Sequence, residues 1–465
     1  MTPRHPRLGT AVVVGGSIAG LLAAAAVAPH TDEVVVLERD ALPEEPGHRS
    51  GTPQAAHIHG LLASGRAAME RLLPGFTDDL VAHGGLVGDI GDSGPWWIGG
   101  HRLVATPAGA LGLLVSRPLL EAYLRARVRD LPNVTVRERT DMRGLVSSRP
   151  GAVTGVLVQG LDDPAAAPRT LTADLAVDAT GRPGRAARWF ADHGWDTPAE
   201  ERVVLGVRYR TVHVEHREGD LGGARVVISA ATPRIPRGGA ALRQEDGTWV
   251  VTVAGYLEEE PPDDLEGLRA YATGLVAPEI GALLDRELLD SPLPYRFAHG
   301  VRRKVEDVTL PPGYAVLGDA ICSFNPIFGQ GMSVAALQAV ALGEALASGD
   351  GVDGLPAALR RYHRAATHYV DQAWALAIGA DLQIPGVQGQ RPRGSAAVAA
   401  YVGRAQRVAE HDPVVARAMI RVTALLEPPQ SLMRPRVLSH VLRDGRPRRR
   451  RPRSRAEGGR VGASR

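Results

Sequence analysis

At 465 residues, 44% apolar and 23% charged, the chain can form two or three hydrophobic cores and has the balance of a globular protein. A single cysteine, Cys322, excludes an internal disulfide and a cysteine-rich metal site, and fits a reducing, cytoplasmic compartment. The formal charge of +3 hides a basic end: residues 446–465 hold nine arginines and one glutamate, a net +8, which leaves the preceding chain at −5 with no general case for nucleic-acid binding.

The first element lies in residues 8–40, LGTAVVVGGSIAGLLAAAAVAPHTDEVVVLERD. Arg4, Arg7 and the apolar run invite a signal-peptide reading. Against it, Gly15-Gly16-Ser17 interrupts the run and a second strand-like run ending in Glu38 follows at once. The run also breaks too early for a membrane span. The pattern predicts a strand at 11–14, a tight turn, a helix at 18–28 closed by Pro29, and a strand at 33–37. This is the dinucleotide-binding fingerprint in its structural setting, with Gly15 for the turn, Gly20 for close helix–strand packing and Glu38 for a ribose hydroxyl. Ser17 stands where the pattern asks for its middle glycine. An acid after the second strand favours an unphosphorylated ribose, hence FAD or NAD over NADP.

Further along, His57 and His59 sit two residues apart without a third ligand at metal spacing, so no metal site is expected there. They are candidates for the wall of a cavity, with plain structural histidines as the alternative. Trp96–Trp97 is expected in a hairpin, and LAVDATGRPG (175–184) reads as a strand ending in Asp178 and a turn. Residues 200–297 alternate in the manner of antiparallel strands. GDAICSFNPIFGQGM (318–332) then leads from a strand-like 314–317 into an Ala-rich helix, a Gly-rich helix start where backbone can press against a ligand. Phe324 and Phe328, two of only five phenylalanines, and the rigid Pro326 are candidates for the reactive pocket. From 351 on the pattern is helical, over 355–377 and 394–426. The tail RPRRRRPRSR (446–455) has no apolar periodicity and reads as a solvated, disordered end.

The fingerprint, the 175–184 turn and the 318–332 loop, in this order and spacing, resemble the FAD-dependent monooxygenases of the para-hydroxybenzoate hydroxylase superfamily over most of residues 8–345. PQAAHIHGLL (53–62), ERLLPGF (70–76) and SRPLLEAYLRARV (116–128) look like the bacterial polyether-type polyene epoxidases of lasalocid and monensin biosynthesis and, more distantly, the squalene epoxidases. The resemblance implies an α/β fold. Its FAD-binding Rossmann-like domain (1–75, 105–190, 298–350) would carry an antiparallel-sheet substrate domain (76–104, 191–297), a C-terminal helical segment (351–445) and the basic tail. It implies Gly15, Gly16, Ser17, Ala19 and Gly20 around the FAD pyrophosphate, Glu38 on the ribose and Arg39 toward the adenosine. Arg117 would reach the pyrophosphate or ribityl chain, Met142 would offer backbone groups to the adenine, and Asp178 joins the cofactor set. Gly318 and Asp319 would take the ribityl hydroxyls and pyrophosphate, and Gly329, Gln330, Gly331 and Met332 the pyrimidine edge of the flavin. Gln338 stands where an aspartate is common, a change expected to affect packing more than chemistry.

The implied activity is oxygen transfer from O2 through a flavin C4a-hydroperoxide to an apolar small molecule, epoxidation of a polyene or terpenoid first and hydroxylation second. NAD(P)H or a partner flavin reductase would supply electrons; no nucleic-acid or integral membrane partner is expected. A prenyl-chain reductase and a non-catalytic flavin-binding scaffold are the rival readings. A halogenase of this superfamily uses a lysine downstream of the fingerprint and a WxWxIP stretch; the single lysine, Lys304, lies in another region, and GPWWIGG differs in spacing.

Overall fold

A computed structural model describes residues 7–147, 151–163, 165–348 and 350–443; the arginine-rich tail lies outside the described residues. Its centre is a five-stranded parallel sheet in the order Tyr314–Val316, Leu175–Asp178, Leu8–Val14, Thr31–Leu37, Val134–Arg137. These strands come from four separated stretches of sequence. The unbroken apolar runs AVVV and VVVL suit strands covered on both faces, and all eight of these residues are buried. Val14 pairs with both Leu37 and Asp178, and Asp178 with Val316, so the strands' carboxyl ends are level. That edge is where open α/β sheets take their ligands.

The helix Ile18–Val27 follows the first strand at once, and nine of its ten residues are buried. It ends at Val27, and Pro29 sits in a short 3-10 turn, Ala28–His30, slightly earlier than the apolar run suggests. Packed against it is Gly331–Ala347, the helix opened by the Gly-rich loop.

The second large element is an eight-stranded sheet. Its first four strands in spatial order are Cys322–Ser323, Leu293–Arg303, Glu200–Glu215 and Thr248–Gly255. Arg237–Arg243, Val226–Ser229, Trp96–Ile98 and His101–Arg102 complete it. The last two form the tryptophan hairpin.

Register divides the sheet's side chains cleanly. Val212, Val214, Val227, Ala241, Trp249, Val251 and Val253 form one face, covered by the helices Leu265–Thr273 and Pro278–Leu284. Tyr209, Ala254, Thr252, Ala240, Leu242, Ile228 and Trp96 are aligned on the other face by the pairings 209↔254, 252↔240, 240↔228 and 228↔96. That second face is mostly apolar and lines a cavity.

The C-terminal helices Gly351–Asp381, Ser395–Val408, Pro413–Thr423 and Pro435–Arg443 complete the structure. The helical pattern over 394–426 is two helices. Pro413 cannot continue a helix, and the Asp412 carboxylate caps the next one by accepting from the Val414 and Val415 N–H groups at 2.9 and 3.3 Å. Among the described residues, no helix is long and apolar enough to cross a membrane.

Candidate active site

A cavity of about 1830 Å³ runs from the carboxyl edge of the parallel sheet, past the 324–332 loop, to the apolar face of the large sheet. Single-ligand sites usually measure 300–1,000 Å³, so this one has room for two molecules end to end.

At the parallel-sheet end the turn is tightly built. Gly15 has φ +113°, and a Cβ there would sit 2.4 Å from the Ala179 carbonyl oxygen; one on Gly20 would sit 1.7 Å from that of Gly15. Gly15, Ser17 and Ala19 reach the cavity wall, whereas Gly16 and Gly20 lie behind it. Gly16 donates its N–H to Glu38 (2.8 Å), and Glu38 also accepts from the Asp40 N–H (2.9 Å). Glu38 therefore shapes the turn as well as facing the cavity beside Arg39.

Around this turn lies a buried charge network. Arg117 donates to Ser17 Oγ (3.1 Å) and twice to Glu121 (2.9 and 3.0 Å); Ser17 donates to the same carboxylate at 2.7 Å. Arg49 meets Asp40 at 3.0 Å and both Glu38 and Glu121 at 3.4 Å, with its side chain 6% exposed. Burial opposes ionisation of Glu121, yet the two guanidiniums and the Ser17 hydroxyl hold its carboxyl below the usual range. Sequence reasoning missed Arg49 and Glu121. Arg49 follows no local motif, and Glu121 is legible only as the residue one helical turn after Arg117.

Other expected residues divide. Met142, Gly318 and Asp319 line the cavity, and the Met142 carbonyl accepts from Arg185 at 2.7 Å. Burial raises the Asp319 carboxyl above its usual range, with Arg182 and Arg117 partly offsetting it. Asp178 does not line the cavity. Its carboxylate accepts from the Thr180 N–H (2.9 Å), the Thr180 hydroxyl (2.7 Å) and the Tyr314 hydroxyl (2.8 Å), so it caps the turn behind the wall.

His57 is also off the wall: its Nδ1 meets Thr211 Oγ1 at 2.9 Å, and its ring packs edge-on against Tyr209 and Tyr295, which stack on each other. His59 does line the cavity, its Nδ1 bonded to the His57 carbonyl at 2.8 Å. Burial is the chief cause that lowers His57 to about 4 and, with Arg117 close by, His59 to about 3. Both imidazoles are neutral at physiological pH.

The Gly-rich loop forms the waist of the cavity. Phe324, Pro326, Phe328, Gly329, Gln330, Gly331 and Met332 all line it. The helix beginning at Gly331 leaves its first-turn N–H groups without intrahelical acceptors. Behind the loop, Asn325 donates to Asp381 (2.8 Å) and Tyr256 (3.0 Å), and Tyr256 donates to Asp381 (2.7 Å). Gln338 accepts from the Gly318 N–H at 2.7 Å, tying the 318 turn to the helix. Cys322 is buried, and burial pushes its thiol well above the usual range, so it is a packing residue.

These residues fit FAD. Both amide atoms of Gln330 and the Nη2 of Arg49 are buried without a hydrogen-bond partner among the described residues, at the waist and at the dinucleotide end respectively. Buried polar groups are seldom left unpaired, and a ligand there would satisfy them. The glycine turn allows the backbone approach a pyrophosphate needs.

No family model matches the sequence. Similar folds occur in a flavoprotein/dehydrogenase from Cytophaga hutchinsonii (TM-score 0.64, 16% identity, 93% of this chain and 96% of that one) and in the flavin-dependent brominase Bmp2 (TM-score 0.62, 15% identity, 93% and 99%). PqsL, a probable FAD-dependent monooxygenase from Pseudomonas aeruginosa, is similar at TM-score 0.59 and 18% identity, over 81% of this chain and 97% of that one. The chain therefore shares the fold of these flavoproteins. Protein Rv3254 of Mycobacterium tuberculosis is 34% identical over 439 residues, 90% of each chain, and this chain belongs to the same family.

Proposed function

We propose that this protein is an FAD-dependent monooxygenase that transfers one oxygen atom from O2 to an elongated apolar substrate, with epoxidation of a polyene as the first reading. One observation carries it: a single cavity joins a dinucleotide end, rich in charge and glycine, to a broad apolar end through a Gly-rich helix start. Ser17, Arg49 and Arg117 would hold the pyrophosphate, Glu38 the ribose, and the N–H groups of Gly331 and Met332 the electron-rich edge of the flavin ring. When bound and reduced, FAD supplies the electrons for oxygen activation. The chain's own task is to place the substrate and keep water away. Phe324 and Trp374 at the waist, and the apolar sheet face beyond it, do this. NAD(P)H or a partner reductase would supply the electrons.

The halogenase reading is disfavoured by Lys304, which is tied to Glu201 at 3.2 Å and is absent from the cavity wall. Arg117→Met should raise the dissociation constant for FAD by about 10–100-fold, since charge-assisted hydrogen bonds contribute about 1.5–3 kcal/mol each. Fluorescence titration of the apoprotein with FAD measures it. Incubating the protein with FAD, NAD(P)H, ¹⁸O2 and a panel of polyenes tests the reaction. A product heavier by one labelled oxygen supports it, and electron consumption that saturates a double bond without oxygen uptake favours a reductase.

A further inference from the structure

The far end of the cavity is not uniformly apolar. Arg225, immediately before the strand Val226–Ser229, lines it among Ile90, Trp96 and Ile228. Its one side-chain hydrogen bond among the described residues is to a neutral acceptor, the Val87 carbonyl oxygen, at 3.0 Å. The acids that line the cavity are Glu38, Asp141, Glu201, Asp319 and Asp371, and none pairs with Arg225. The guanidinium has a fitted seat: a Cβ on Gly88 would lie 2.8 Å from its Nη2 and 3.0 Å from its Cζ. Next along, Trp96 Nε1 is a buried donor without a partner among the described residues. Among the described residues, this end of the cavity thus offers donors and a positive charge and supplies no carboxylate of its own.

We propose that Arg225 binds an anionic oxygen, a carboxylate in the first instance, at one end of an otherwise apolar substrate. The inference rests on the oxygenase reading for which end of the substrate reacts, and on Arg225 alone for the binding. Four interstrand spacings separate Val226–Ser229 from Leu293–Arg303, the strand bearing Tyr295 and Phe297 beside the waist. At 4.7–4.9 Å each, that is about 19 Å. The substrate class is therefore a long amphiphile, anchored by its acid group and oxidised near its distal end. A guanidinium in an apolar setting suits this task, because its fork geometry matches a carboxylate and the surrounding low dielectric strengthens the pair.

The test compares all-trans-retinoic acid with its methyl ester on the FAD-loaded protein, by calorimetry and by perturbation of the flavin absorbance. The acid should bind at least about tenfold tighter than the ester, as a charged hydrogen bond implies. Arg225→Met should bring the acid down to the ester's affinity while leaving the ester unchanged, and Arg225→Lys should recover part of the difference. Unchanged ester binding also shows that the variant is folded. Equal binding of acid and ester, equal losses for both in Arg225→Met, or binding of neither would overturn the proposal. Oxygenation of a neutral hydrocarbon polyene without any preference for acids would sink this inference and leave the oxygenase reading standing. Arg225-dependent binding of the acid without oxygen transfer would do the reverse.

Discussion

Replacing Gly20 by alanine yields a protein that no longer holds FAD and is destabilised by about 3 kcal/mol or more. The new Cβ would lie 1.7 Å from the Gly15 oxygen and 2.8 Å from the Gly15 carbonyl carbon. Those are backbone atoms, so no side chain can swing aside to make room. Gly15 cannot retreat either, because its own α-carbon already faces the Ala179 carbonyl and its N–H is bonded to Leu37 O at 2.8 Å. Overpacking in a close-packed core costs typically 1–3 kcal/mol, and a clash with a fixed turn belongs at or above the top of that range. The clash also moves the one turn that must meet a pyrophosphate, so cofactor loss should accompany the loss of stability. Thermal unfolding and the flavin absorbance of the purified variant measure the two effects. Gly144→Ala is the control: nothing lies within 4 Å of a Cβ there, and both properties should hold. A yellow, stable Gly20→Ala protein would contradict the packing described for the turn.

Asp381→Asn should make the protein more stable at pH 8 and leave it unchanged near pH 4. Burial raises the Asp381 carboxyl to about 7, and the Tyr256 and Asn325 donors only partly offset that. An unfolded aspartate titrates near 3.9, so between about pH 4 and 7 the folded chain binds more protons than the unfolded one. Stability from this group is therefore full below pH 4 and is lost as pH rises through 7. A shift of about three units corresponds to roughly 4 kcal/mol over that window. An asparagine has the same shape and carries no charge to desolvate, so the variant should lack this pH slope. Urea midpoints at pH 5, 6, 7 and 8 would show it; parallel curves for the two proteins would contradict the assignment. Because Asn325 belongs to the loop at the cavity's waist, the same pH window should also alter FAD affinity in the wild-type protein.

What the sequence discloses depends on how far apart the cooperating residues lie. The fingerprint is legible because its strand, turn, helix and closing acid fall within thirty-odd residues, and each has a local steric or hydrogen-bonding reason. The Gly-rich loop is legible for the same cause. The Arg49–Glu121–Arg117–Ser17 network is not, since its members are brought together from positions 17 to 121 by tertiary packing alone. The Tyr256–Asn325–Asp381 cluster spans 125 residues and has no periodic signature. The cap that Asp178 makes is local, since its partner Thr180 lies two residues on, and it was legible in the sequence. Alternation within the large sheet was visible, but its two faces were not assignable. Which face meets helices and which meets the cavity depends on register across strands as distant as 96 and 252, and on the irregularity between Val204 and Val207.

The most direct test of the central claim is kinetic. The FAD-loaded protein is reduced without oxygen, mixed with oxygenated buffer in a stopped-flow instrument, and followed across the near-ultraviolet and visible range with and without an apolar polyene. The oxygenase account predicts a transient spectrum unlike either oxidised or reduced flavin, whose decay changes when the polyene is present, together with an oxygenated product. Single-phase return to oxidised flavin, with hydrogen peroxide as the only reduced oxygen species and no effect of any polyene, would contradict it.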